Sequence, residues 1–224
     1  MVIDCDVSPG LNGICVSRSI PERHLYAGCL LYGFGSVPSI DAAFDNGIQR
    51  AVSCVAGSVT NALEYIIQNE TYSDYSQVAQ HMVQTLKSTS NKLWSINQSV
   101  GQGIYVGGVL AWFSNLQYIA LSFGGAALLM IKGHNAVRVG DDDGLIIYDA
   151  VGSRAGWTGK VYQGTLLPGE ILLGAIKESH DWRQLQQQMN EFTVDAMAEN
   201  MASVLRQYIA APNEAAAVIE FRAK

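Results

Sequence analysis

The chain has 224 residues, 49% of them hydrophobic and only 15% charged, so it carries enough apolar material for a sizeable core and is not a disordered polymer. Fourteen Lys plus Arg against twenty Asp plus Glu give a formal charge of -6 and an isoelectric point near 5.1. No basic cluster interrupts that acidity, and a nucleic-acid partner, which needs grouped cations to neutralise phosphates, is not expected.

The first strand candidates are Gly13 to Ser17 and Leu25 to Gly33, short apolar runs separated by the polar stretch Arg18 to Arg23. After Gly35 to Ser39, with Ser39 placed to cap a helix, Ile40 to Gln68 sets Ala43, Phe44, Ile48, Ala51, Val52 and Val55 at helical spacing. A polar loop around Asn69 to Ser73 leads to a second helix, Tyr75 to Gln98, whose apolar stripe is Val78, Met82, Val83, Leu86, Leu93 and Ile96. Strand material then dominates: Ile104 to Phe113, Tyr118 to Ile131, Ala136 to Val139, Leu145 to Tyr148, Lys160 to Leu166, and Ile171 to Ala175 after the turn at Leu167 to Glu170. Two helices, His180 to Phe192 and Val194 to Ala210, precede a last strand, Ala215 to Phe221. Segregated blocks of strands and helices indicate α+β packing with antiparallel sheets. With no internal repeat and no linker, a single domain over residues 1-224 is expected.

No charged residue lies between Lys92 and Lys132, the pattern a search for membrane spans would flag. A spanning helix needs about 20 predominantly apolar residues. Here Ser114 to Gln117 divides the stretch into halves too short to span, and their glycine pairs, β-branched and aromatic residues read as a buried hairpin. No membrane partner is expected. Cys5, Cys15, Cys29 and Cys54 show no C-x-x-C pair and no histidine at zinc spacing, which reads as free thiols in a reducing compartment. Met1 to Asp6 lacks a basic stretch ahead of an apolar run, so no signal peptide is indicated and a cytoplasmic location is expected.

Four strings stand out in order. Tyr32-Gly-Phe-Gly-Ser36 ends a strand and precedes a long helix. Ser114 to Ala126 forms a hairpin that continues into Leu128 to Gly133. Leu167-Pro-Gly-Glu-Ile-Leu-Leu173 opens a leucine-rich strand, and Pro212 to Ile219 runs on to Phe221. Together they resemble the hallmarks of the PPM (PP2C-type) metal-dependent Ser/Thr phosphatases. Those are a strand ending in Asp-Gly-x-Gly-Gly, a hairpin leading to Gly-Asp-Ser, Pro-Gly-Asp and leucines entering Ser-Asp-Gly, and Asp-Asn-x-Thr before a valine-rich strand. The resemblance covers about Gly13 to Phe221. It implies an α-β-β-α sandwich, two antiparallel sheets face to face with a helix pair outside each.

The same resemblance implies phosphoester hydrolysis by water activated between two divalent ions held on carboxylates. At the matching positions this chain has Tyr32, Gly125, Ile176 (within Ala175-Ile-Lys177) and Pro212. The family's early Arg-x-x-Asn-Glu-Asp string has no counterpart; Arg18 and Glu22 are the nearest residues, and neither is assigned a role. Mg²⁺ and Mn²⁺ are hard cations that demand oxygen ligands, and they act by lowering the pKa of the attacking water. Gly, Ile and Pro side chains supply no oxygen, and a phenol that ionises near about 10 replaces a carboxylate poorly. Packing residues in place of mutually repelling buried carboxylates would let such a core fold without ions. No metal, cofactor or catalytic residue is therefore expected at these positions.

Other chemistry is weaker. Asp141-Asp-Asp-Gly144 places its acids side by side, whereas a calcium loop alternates them, and a solvated turn is the plainer account. Cys29 and His24 could form a thiol and its base, but Cys29 sits in an apolar strand. No Gly-x-Ser-x-Gly elbow is present, and His81, His134 and His180 are scattered. Arg154 to Lys160 reads as a flexible loop where the family carries a variable flap. Met197, Met201, Val204, Leu205 and Tyr208 form an apolar stripe, for the core or for an oligomer or partner surface. The expectation is a catalytically inactive pseudophosphatase acting as a protein-binding or regulatory module. The alternative is a hydrolase with a site rebuilt elsewhere on the scaffold.

Overall fold

The computed structural model describes residues 1–9, 11–36, 42–69, 74–101, 103–133, 135–139, 149–177, 186–187, 189, 200–210 and 214–223. Apolar side chains alternate along the central strands between two buried faces, because each sheet is covered on both sides. One sheet runs β1 (Val2–Val7), β10 (Ala216–Arg222), β9 (Glu170–Lys177), β6 (Ala127–Lys132), β7 (Asn135–Arg138). The other runs β2 (Gly13–Ile20), β3 (Leu25–Gly35), β4 (Ile104–Ser114), β5 (Gln117–Phe123), β8 (Val161–Thr165). All the strand pairings in both are antiparallel.

Leu30, Tyr32, Val109, Ala111 and Phe113 of the second sheet share one apolar layer with Leu172, Ile176, Ala217, Ile219 and Phe221 of the first. Their neighbours Cys29, Leu31, Leu110 and Trp112 turn the other way, into a cluster with α1 (Ala42–Gln68) and α2 (Tyr75–Val100). On the far side, Leu173, Ala175 and Val218 pack with Met201 and Leu205 of α3 (Met201–Ile209). The period of two thus sends successive residues of the central strands to opposite faces of their sheet, one into the inter-sheet core and one into a helix-side core. The layers are those of the expected sandwich.

Several expectations are corrected. Strand β1 lies ahead of the first strand read from the sequence, although Ile3, Cys5 and Val7 alternate with Asp4 and Asp6. The run Tyr118 to Ile131 is two strands in different sheets, broken at Gly124 and Gly125, which have φ of 62° and 82°. On α2 it is Asn97 that points inward, while Ile96 is 54% exposed. On α3, Met201 and Leu205 are core, whereas Val204 and Tyr208 are exposed. The readings for Leu145 to Tyr148, for Asp141 to Gly144, and for His180 to Phe192 apart from 186–187 and 189 lie outside the described residues, as do His134 and Met197.

The thiol reading also changes. Strands β1 and β2 are the neighbouring edges of different sheets, and their inward-facing Cys5 and Cys15 are joined in a disulfide with Cα atoms 6.6 Å apart. Only Cys29, buried, and Cys54, exposed, are free thiols. The pairing was hidden because it depends on β1, the strand the sequence reading omitted.

Candidate functional site

The strings that carry Tyr32, Gly125 and Ile176 meet at the end of the inter-sheet layer where β3, β9 and the β5–β6 turn finish. Tyr32 is opposite Gly13 of β2 and Gly107 of β4. Its ring crosses the face of Gly107 to reach the turn, and its hydroxyl donates a hydrogen bond to the Gly124 carbonyl. Glycine at 107 permits this approach: a Cβ there would meet the Tyr32 ring and lie 2.5 Å from the Gly124 oxygen. Tyr32 also stacks on Phe34 at 5.2 Å, and Phe34 in turn contacts Tyr105 at 5.6 Å. With Tyr32 only 4% exposed, burial raises its phenol pKa and keeps it protonated.

Gly125 stands in the turn whose Gly124 carbonyl Tyr32 holds, half-buried and at positive φ. Ile176 is 1% exposed, pairs across to Ala217, and belongs to the same apolar cluster as Tyr32 and Ala126, with Val7 and Leu11 packed against it. The structure therefore brings Tyr32, the turn at Gly125 and Ile176 to one end of one core. Pro212 lies outside the described residues.

Among the described residues no three His, Cys, Asp or Glu gather in a way that could hold a metal ion. Asp6, on β1, turns to the helix side and pairs with Arg206 at 2.7 Å. Burial opposes ionisation of Asp6, but hydrogen bonds from Arg206 and Ser203 outweigh it and hold the carboxyl below its usual range. The segment facing Tyr32 at the start of β2 is Leu11-Asn12-Gly13, and the Asn12 carbonyl accepts from the Gly33 N–H at 2.9 Å. Sequence reasoning misses that segment, naming Arg18 and Glu22 as the nearest residues without assigning either a role. The register sets Arg18 against Ala27, towards the other end of the sandwich, where it pairs on the surface with Glu64 at 3.1 Å.

Among the described residues the remaining candidates do not converge. Cys29 is fully buried on the helix side, and burial pushes its thiol up to about 12, while His24 sits exposed in the turn before β3. His81 stacks on Tyr65 at 5.3 Å. The stretch Arg154 to Lys160 is pinned: Gly156 N–H donates to Asn91 Oδ1 at 2.9 Å, and Trp157, fully buried, donates from Nε1 to the Asp149 carbonyl at 2.8 Å. A small polar cavity of about 220 Å³ opens nearby between Trp94, Asn97, Tyr105 and Ser153. Asn97 is already committed there, donating to the Ile104 and Gly152 carbonyls and accepting from the Ile104 N–H. None of the lining residues is a carboxylate, histidine or thiol.

No helix among the described residues is long and apolar enough to cross a membrane. Solved structures share the architecture almost end to end. PppA from Pseudomonas aeruginosa, a key regulatory component of T6SS, matches with a TM-score of 0.68 at 14% identity, over 100% of this chain and 97% of its own. The serine/threonine phosphatase Stp1 from Staphylococcus aureus matches at 0.69 and 10% identity, over 100% and 94%. The PP2C phosphatase domain of SpoIIE from Bacillus subtilis, solved with a fragment of its regulatory domain, matches at 0.63 and 12% identity, over 98% and 62%. No protein-family model and no curated sequence matches the chain. Identities this low speak for the fold alone.

Proposed function

We propose that this chain, which has the fold of the PP2C-type serine/threonine phosphatases, is a pseudophosphatase that serves as a protein-binding or regulatory module in the cytoplasm. One observation carries the reading: where the resemblance puts the first metal-ligating aspartate, Tyr32 is buried and hydrogen-bonded to the Gly124 carbonyl. Gly125 and Ile176, at two further positions, offer no side-chain oxygen. These residues do not fit a pair of hard divalent ions, and no hydrolytic step runs through them. The regulatory part draws support from PppA, a regulatory component in its own system that shares this fold. The rebuilt-site alternative needs converging titratable groups, and among the residues lining the cavity beside Asn97 the Tyr105 phenol stands without a second one. In a cytoplasmic setting the Cys5–Cys15 bond stands in a reducing compartment, where disulfides are typically reversible.

The test is metal dependence. Millimolar Mn²⁺ or Mg²⁺ is expected to move the melting temperature by less than about 1 °C, because an ion that does not bind the folded state cannot stabilise it. Hydrolysis of p-nitrophenyl phosphate is expected to stay at background. A metal-dependent rise in either overturns the proposal.

A further inference from the structure

We infer that the Cys5–Cys15 disulfide is a reducible clasp: oxidised, it holds β1 in the sandwich, and reduced, it lets β1 open from β10. The placement carries this. Strand β1 is the outermost strand of its sheet and hydrogen-bonds along one side only, to β10, from Val2 opposite Arg222 to Val7 opposite Ala217. All six of its residues are partly exposed. It forms no ladder with β2, which belongs to the other sheet. Between these two edges the disulfide is the covalent cross-link, joining cysteines ten positions apart in the chain.

The anchors on either side of the bond differ. The connection after β1 is well held: Ser8 N–H donates to the Ala216 carbonyl at 2.9 Å, and Ser8 Oγ accepts from Ala216 N–H at 3.1 Å and Arg206 Nη1 at 3.0 Å. On the side of Cys5 away from that connection, Val2 to Asp4 have the β10 ladder and the packing of Ile3. Releasing Cys5 therefore frees the outer half of β1 first, with Ser8 as the hinge. Both cysteines are half-buried residues at the rim of the inter-sheet core. A dithiol would attack one sulfur as the thiolate, forming a mixed disulfide and expelling the other cysteine as a thiolate that takes up a proton. Its second thiol would then displace the remaining cysteine, leaving two protein thiols and one oxidised, cyclic reagent. Cys29, buried on the helix side, and Cys54, exposed on α1, are the chain's other two thiols.

The experiment uses dithiothreitol as the probe. Thiols counted in denaturant are expected to number two before reduction and four after it. Native-state hydrogen exchange of the Val2–Val7 amides is expected to quicken about tenfold on reduction, with β3 and β4 unchanged, since loss of a short loop closure acts locally. A Cys5→Ser/Cys15→Ser variant should exchange like the reduced protein and ignore the reagent. If that variant fails to fold, the two forms of the natural chain carry the comparison. Four thiols in protein prepared without reductant, equal exchange of β1 in both forms, or an equal rise throughout the molecule would each overturn the clasp.

Discussion

Tyr32 shows how one side chain can fill a site and hold it together. Its ring packs with Phe34 and its hydroxyl satisfies the Gly124 carbonyl, so the buried polar group has a partner. Tyr32→Phe keeps the ring and orphans that carbonyl, and urea unfolding should show a loss of about 1 kcal/mol. Glu220 poses the opposite problem. It is fully buried on β10, facing Asp4 across the ladder, with Arg222 Nε 3.0 Å from Oε1. Burial raises its pKa, Arg222 offsets part of that and Asp4 adds to it, leaving the carboxyl at about 7 against an ordinary 4.5. Because the folded value exceeds the unfolded one, the folded chain binds this proton more tightly. The stabilisation it brings is full below pH 4.5 and lost as pH rises to about 7. Glu220→Gln should therefore flatten the difference in stability between pH 5 and 8 by roughly 2 kcal/mol, read from melting curves across that range.

Among the elements, α2 acts as a polar clamp as well as a core helix. Ser90 Oγ accepts from Gly152 N–H at 2.9 Å, Asn91 takes Gly156, and Asn97 ties Ile104 to Gly152. Asn97→Ala removes three of these bonds at a residue only 7% exposed, and about 2–3 kcal/mol of stability should go with them. Trp157 would respond locally, its fluorescence shifting to the red before global unfolding. These contacts explain why the stretch Arg154 to Lys160 reads as loose in the sequence: its anchors lie on a helix some sixty residues earlier. Helices were legible because a 3.6-residue apolar period repeats over α1 and α2 regardless of context. Strand β1 was not, since two aspartates in six residues look like surface until Arg206 and Ser203 meet Asp6 from α3.

At the scale of the molecule, the order of strand and helix blocks carried the four-layer plan, because hydrophobic faces can be buried in few ways. The glycine and leucine strings singled out Tyr32, Gly125 and Ile176, which the structure brings to one end of one core, but not their company. Leu11, Asn12 and Gly13 enter through strand register, which no local pattern encodes. One feature of that register reaches into biosynthesis. Strand β10 is inserted between β1 and β9, so the earliest of the described strands is hydrogen-bonded only to the latest of them. While the nascent chain is being made, β9 and β6 have an open flank and β1 has no neighbour to zip onto. Assembly of this sheet is thereby deferred until β10 has been made, whereas β2 to β5 can dock with their two helices well before.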